Sequence, residues 1–235
     1  VIREALQYLI GLGAANKHEI GGQIFSDKPL HEIYAPLATP LVVRNLSGLV
    51  EYVLKNYDDQ PPMLIHVASP ERVDIFSTYN RDMRRHHYVR ADAQLPDIPF
   101  RRFIDVEAFN ILLQSCFVPT DDRAKLLAVV GNIQEENVVT VGDSGVAQQV
   151  TAKTGVATVG NVIVPNPVLL KPFRTFVEIE QPESLFVFRM QKGPDCALFE
   201  ADGGAWKLEA IHRIREYLDK ALAEPIVSGQ VRIIS

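Results

Sequence analysis

The densest concentration of chemistry-bearing side chains reads Arg81-Asp82-Met83-Arg84-Arg85-His86-His87-Tyr88-Val89-Arg90, with Tyr79 before it and Arg101-Arg102 after it. Guanidinium groups grip phosphates through paired hydrogen bonds, and phenol rings stack on bases. Arg81, Arg84, Arg85, His87, Tyr88 and Arg90 therefore form a candidate site for single-stranded nucleic acid or another anion. The same residues also suit a solvated loop between strands, or arginines that pair with acidic patches on a sister subunit. Charge favours this second view. The chain carries 24 Lys+Arg against 29 Asp+Glu, a formal charge of −5 at pH 7, and so has no general attraction for a polyanion.

The remaining reactive residues lack the spacing that chemistry requires. His86 and His87 are adjacent, so on a strand their imidazoles point to opposite sides and cannot chelate one ion; no HxxxH or CxxC pattern accompanies them, and no metal is expected. Cys116 lies on the apolar side of a helical pattern and Cys196 beside a turn, neither with a histidine next to it. Gly142-Asp143-Ser144-Gly145 shares letters with a nucleophile elbow but not its order, and reads as a hairpin turn. The acid pairs Asp58-Asp59, Asp121-Asp122 and Glu135-Glu136 fall at predicted helix ends or in loops, as solvated charge does. Gly11-x-Gly13 and Gly203-Gly204 lack the spacing of a phosphate loop, so no cofactor is expected. With no recognisable set of acid, base, nucleophile and oxyanion donor, binding is favoured over catalysis. A hydrolase built on His86 or His87 is the remaining enzymatic alternative.

These residues must be positioned by an α+β fold of antiparallel sheets with flanking helices and a β-rich second half. Apolar spacing predicts helices at residues 2–10, stopped by Gly11 and Gly13, at 46–56, 105–117, 120–133 and 208–222. Asn45 or Ser47, Asp105 and Thr120 are the expected caps. Strands are predicted at 63–68, 72–79 and 87–94, then at 173–180, 185–191 and 197–201 as an antiparallel meander. Val138 to Ala152 reads as a further hairpin, and Val156 to Val164, with Gly155 and Gly160 at its glycines, as a flat strand or loop. A division is expected near 134, into an α+β region 1–134 and a β-meander 135–235 with a final helix and tail, the two sharing one core or not.

The pattern also suggests apolar surface beyond what one subunit covers. Leu6, Leu9 and Ile10 line the first helix, and Phe186 and Phe188 sit on a strand that is apolar on both faces. Val231 and Ile233 lie in a tail able to join a sheet edge, its own or a neighbour's. These residues are the expected interface of a homo-oligomer. No run of about 18 apolar residues occurs and the start, Val1-Ile2-Arg3-Glu4, lacks a signal-peptide layout, so no membrane partner and a cytoplasmic location are expected.

The order of several short motifs resembles an uncharacterised protein family of tailed phages and prophages, known as a domain of unknown function. They are the helix 46–56 leading into Met63-Leu64-Ile65-His66-Val67, His86-His87-Tyr88, Glu107-Ala108-Phe109, Val138-Val139-Thr140-Val141, Val164-Pro165, Pro172-Phe173-Arg174 and Leu185-Phe186-Val187-Phe188-Arg189. The resemblance spans most of residues 40–220. It implies a phage-encoded accessory protein of the host cytoplasm and supplies no catalytic residues.

Overall fold

The computed structural model describes residues 2–13, 15–21, 23–28, 36–131, 140–143, 147–151, 162–191 and 195–235. Glu135-Glu136, Val138-Val139, Ser144-Gly145, the segment with Gly155 and Gly160, and the turn Lys192-Gly193-Pro194 lie outside them. The chain divides into two compact units, Val1–Pro36 and Leu37–Ser235.

The first unit holds α1 (Ile2–Gly13) and a hairpin of β1 (Lys17–Ile20) with β2 (Gln23–Ser26), paired antiparallel. Asn16 closes the hairpin's base: its backbone N–H and side-chain amide each donate to the Asp27 carboxylate at 2.7 Å. Every described residue of α1 is exposed.

The second unit runs β3 (Leu41–Val43), α2 (Leu46–Lys55), β4 (Met63–Ser69), β5 (Arg72–Ser77), β6 (His87–Asp92), β7 (Ile104–Asp105), α3 (Val106–Cys116), α4 (Asp121–Gly131), β8 (Thr140–Asp143), β9 (Ala147–Thr151), β10 (Val162–Pro165), β11 (Val168–Leu170), β12 (Ser184–Gln191), β13 (Asp195–Glu200), α5 (Trp206–Ala221), α6 (Ala223–Val227) and β14 (Val231–Ile234). The class is α+β, as the alternation of periods predicts.

A five-stranded sheet has the order β14-β4-β5-β6-β3. The hairpins β4-β5-β6 are antiparallel, whereas β14 joins β4 and β3 joins β6 in parallel. One face carries Met63, Ile65, Val67, Val73, Ile75, Val89 and Ala91, buried under α2 and α5 through Leu49, Val53, Ile214 and Leu218. Helix α2 begins where expected because the Asn45 side chain accepts from Gly48 N at 2.9 Å. It ends at Asn56, whose left-handed backbone lets its N–H donate to Tyr52 O.

The second sheet is β11-β12-β13-β7, with Phe186, Phe188, Cys196 and Leu198 packed against Phe109, Leu113, Phe117, Leu126 and Val130 of α3, α4 and their junction. Asp105 caps α3 through Ala108 N at 2.9 Å, and Asp122 of α4 accepts from Leu169 N at 3.0 Å, tying that helix to β11. Strands β10-β9-β8 form a small antiparallel sheet. Both apolar clusters draw on residues from either side of position 134: Phe176 and Ile214 pack with Ile65, and Phe188 packs with Phe109.

Several expectations are corrected here. Residues 173–180 form no strand. The Gln181 side chain takes over that segment's backbone groups: Oε1 accepts from Arg174 N at 3.0 Å and Thr175 N at 3.3 Å, and Nε2 donates to Phe176 O at 3.0 Å and Ile179 O at 3.3 Å. Helix α5 starts two residues before the expected 208, and its buried side carries Trp206 and Ala210 while Leu208 is exposed. Helix α5 ends at Ala221, and Pro225 sits in the first turn of the separate short α6, where its missing N–H has no bond to make. Phe186 and Phe188 are 0% exposed. Both sides of β12 are apolar because the chain's own helices cover one of them, so these rings belong to the core and face no partner. Val231 is likewise buried, in parallel register with Met63, and Ile233 packs against the first cluster. The tail completes its own sheet.

Candidate functional site

The face of the five-stranded sheet opposite α2 and α5 is polar, and strand alternation builds it. Leu64, His66, Asp74, Phe76, His87 and Arg90 fall on this side, with His66 opposite Asp74 and Asp74 opposite Arg90 in register. Asp74 is buried and central. Its Oδ1 lies 3.3 Å from Arg90 Nε and 2.8 Å from His87 Nε2. The histidine contact is short, yet Nε2 makes no hydrogen bond. Phe76 covers His87, with ring centroids 4.6 Å apart. At the sheet's end Arg72 Nε donates to Asp92 Oδ1 at 3.1 Å. Cation and carboxylate alternate across this face and cancel locally.

The arginine-rich segment divides among separate surroundings. Asn80 organises the turn before β6: its Oδ1 accepts from Asp82 N and Arg84 N, both at 2.9 Å, and its own N–H donates to Arg84 O. Arg81 is 82% exposed, with Nε 3.2 Å from Asp82 Oδ1. Arg85 is fixed from two sides, its guanidinium 3.8 Å above the Tyr79 ring and its Nη1 donating to Ser77 O at 2.7 Å. His86 Nδ1 accepts from Ala38 N at 3.2 Å, and its ring is parallel to that of Tyr88 at 6.0 Å. Tyr88 turns inward, and burial raises the pKa of its hydroxyl although a hydrogen bond with Ser77 opposes the shift. A buried ring offers no face to a base. Arg90 is neutralised by Asp74. The expected continuous patch of arginine, histidine and tyrosine is thus not one surface.

Arg85 instead lines a cleft of about 430 Å³ with Pro62, Met63, Leu64, Thr78, Tyr79, Gly229 and Arg232. Thr78 and Tyr79 follow β5 directly, while Pro62 to Leu64 open β4 and Arg232 lies on β14, so the parallel tail strand brings the second guanidinium into place. Two arginines and no carboxylate line it. Arg232 is exposed, and its side chain makes no hydrogen bond or ion pair among the described residues. Asp74 and Arg232 are the residues that sequence reasoning overlooked. A single carboxylate inside Val73-Asp74-Ile75-Phe76 was the available signal for the first; nothing local marked the second.

The thiols have no such setting. Cys196 is fully buried in β13, and burial pushes its pKa up to about 12, which leaves an inert thiol. Cys116 is buried in α3, on the side the sequence assigned to the core. Among the described residues no group of three His, Cys, Asp or Glu side chains is placed to hold a metal ion. No described helix is long and apolar enough to cross a membrane. The chain matches no protein-family profile, no curated protein and no solved structure.

Proposed function

We propose that this protein acts by assembling with copies of itself through α1, and that it works by binding without covalent chemistry. The apolar side of α1 carries the reading. Ile2, Leu6, Leu9, Ile10 and Leu12 are all more than half exposed, at 79, 54, 63, 72 and 55%. Ile2 with Leu9 and Ala5 with Leu12 repeat at seven residues, the spacing by which two helices bury a common seam. Helices shorter than about 12–15 residues are marginal in water on their own, so a helix of this length needs a covering surface.

A second copy supplies an identical seam, and each large aliphatic side chain fully covered by it contributes roughly 1.5–3 kcal/mol. A membrane surface is the weaker fit. Helices that lie on anionic lipid present several lysines or arginines, whereas the polar side of α1 offers Arg3 balanced by Glu4. As its resemblance implies, the protein is an accessory component encoded by a phage or prophage and acting in the host cytoplasm.

Light scattering on the purified chain at micromolar concentration tests the assembly. A mass at least twice 26.2 kDa is expected, falling to 26.2 kDa in the double variant Leu6→Glu, Leu9→Glu with thermal unfolding unchanged. A single 26.2 kDa species in the unaltered protein would refute it.

A further inference from the structure

Five arginines outside this cleft are matched to acids. Arg72 meets Asp92, Arg90 meets Asp74, Arg174 meets Glu200, Arg213 meets Glu209 and Arg215 meets Asp219. In a chain of net charge −5, a concave surface with two guanidinium groups and no carboxylate runs against the composition. Arg85 is moreover held in advance. One of its five donors is spent on Ser77 O and its flat face rests on Tyr79, which fixes the plane of the fork and leaves other N–H groups to serve the cleft it lines. A donor already oriented loses little side-chain freedom when an anion arrives.

The rest of the cleft sets the ligand's class. Its volume of about 430 Å³ falls in the roughly 300–1,000 Å³ range of small-molecule sites and far exceeds the needs of a bare inorganic anion. Pro62, Leu64 and Tyr79 supply apolar wall, and the Thr78 hydroxyl both donates and accepts. We propose that this cleft binds a phosphate monoester with a flat or apolar body of nucleotide size. The phosphate lies between Arg85 and Arg232, and the body rests against Leu64 and Pro62. Guanidinium forks match the oxygen geometry of a phosphate, and a terminal monoester carries more charge to meet two cations than a diester within a polymer does.

Titration calorimetry of the full chain at low salt with adenosine 5′-monophosphate, adenosine and inorganic phosphate tests this. The monophosphate should bind saturably, at least about tenfold tighter than adenosine and tighter than phosphate alone. Arg232→Ala should weaken it about tenfold or more with thermal unfolding unchanged, since the Arg232 side chain makes no hydrogen bond or ion pair among the described residues and its backbone pairing is kept. Arg85→Lys, which retains charge but loses the fork, should also weaken it. Three results would overturn the proposal: no binding of the monophosphate at millimolar concentration, equal binding of adenosine, or affinity unaffected by Arg232→Ala. A short single-stranded DNA lacking terminal phosphates that outcompetes the monophosphate through both arginines would overturn it too, and assign the cleft to a polymer backbone.

Discussion

Gln181 shows how much one side chain decides. Only 3% of it is exposed, and its amide serves two backbone donors and two backbone acceptors of residues 174–179. The neighbouring Thr175 hydroxyl donates to Pro70 O at 2.6 Å, so this irregular segment is anchored to the turn between β4 and β5. Gln181→Ala leaves those backbone groups buried without partners, and each such group costs about 1–3 kcal/mol. Urea denaturation should show a loss of about 3 kcal/mol or more. Gln181→Glu, which sets a buried carboxylate oxygen against the carbonyls of Phe176 and Ile179, should be at least as destabilising. The strand predicted at 173–180 failed for this reason. Phe173, Phe176 and Ile179 look extended from their neighbours alone, but a backbone partner can be a side chain, and no periodicity shows that. Asp74 was missed for a related cause: its partners, His87 and Arg90, come from the next strand, and register brings them together.

Among the elements, local signals were legible and long-range ones were not. The caps Asn45 and Asp105, the stop at Asn56 and the β4-β5-β6 succession follow from residues close in sequence. The parallel strands β3 and β14 take partners far along the chain, and β7 is only 2 residues long. The entry to α5 has its own electrostatics. Gly203 and Gly204 adopt positive φ values of 63° and 84°, which turns the chain so that Asp202 faces the first backbone N–H groups. Burial raises the Asp202 pKa, but hydrogen bonds from Ser184, Gly204 N and Trp206 N, with the charge of Arg174, outweigh it and leave the carboxyl below its ordinary value of 3.8. A carboxyl held lower in the folded state than in the unfolded one stabilises the fold above the unfolded pKa, and that contribution disappears as pH drops through the folded value. Asp202→Asn should therefore be less stable than the unaltered protein at pH 7, and the gap should narrow as pH falls from about 5 towards 3. Denaturant midpoints of the two proteins at several pH values measure this directly.

For the whole molecule, the division into units has a testable meaning. Both apolar clusters lie entirely within Leu37–Ser235, from Leu46 to Val231, and α1 contributes to neither. A chain of residues 37–235 should therefore unfold cooperatively within a few degrees of the full protein, yet run as a monomer in light scattering if α1 joins the copies. The sequence-based boundary at 134 would cut through both cores, so chains 1–134 and 135–235 should each fail to fold alone. Pattern along the chain suggested an α+β first half and a β-rich second half but could not show that their elements share both cores. Contacts such as Phe109 with Phe188 join distant residues, and pattern along the chain is blind to them.

The parallel seat of β14 beside β4 sets an order of events during synthesis. Until residues 231–234 leave the ribosome, β4 is an open margin, its outward amides free to recruit any extended peptide nearby. Strand β14 thus acts as a clasp on that margin, and a chain in which it is displaced would offer β4 to others like it.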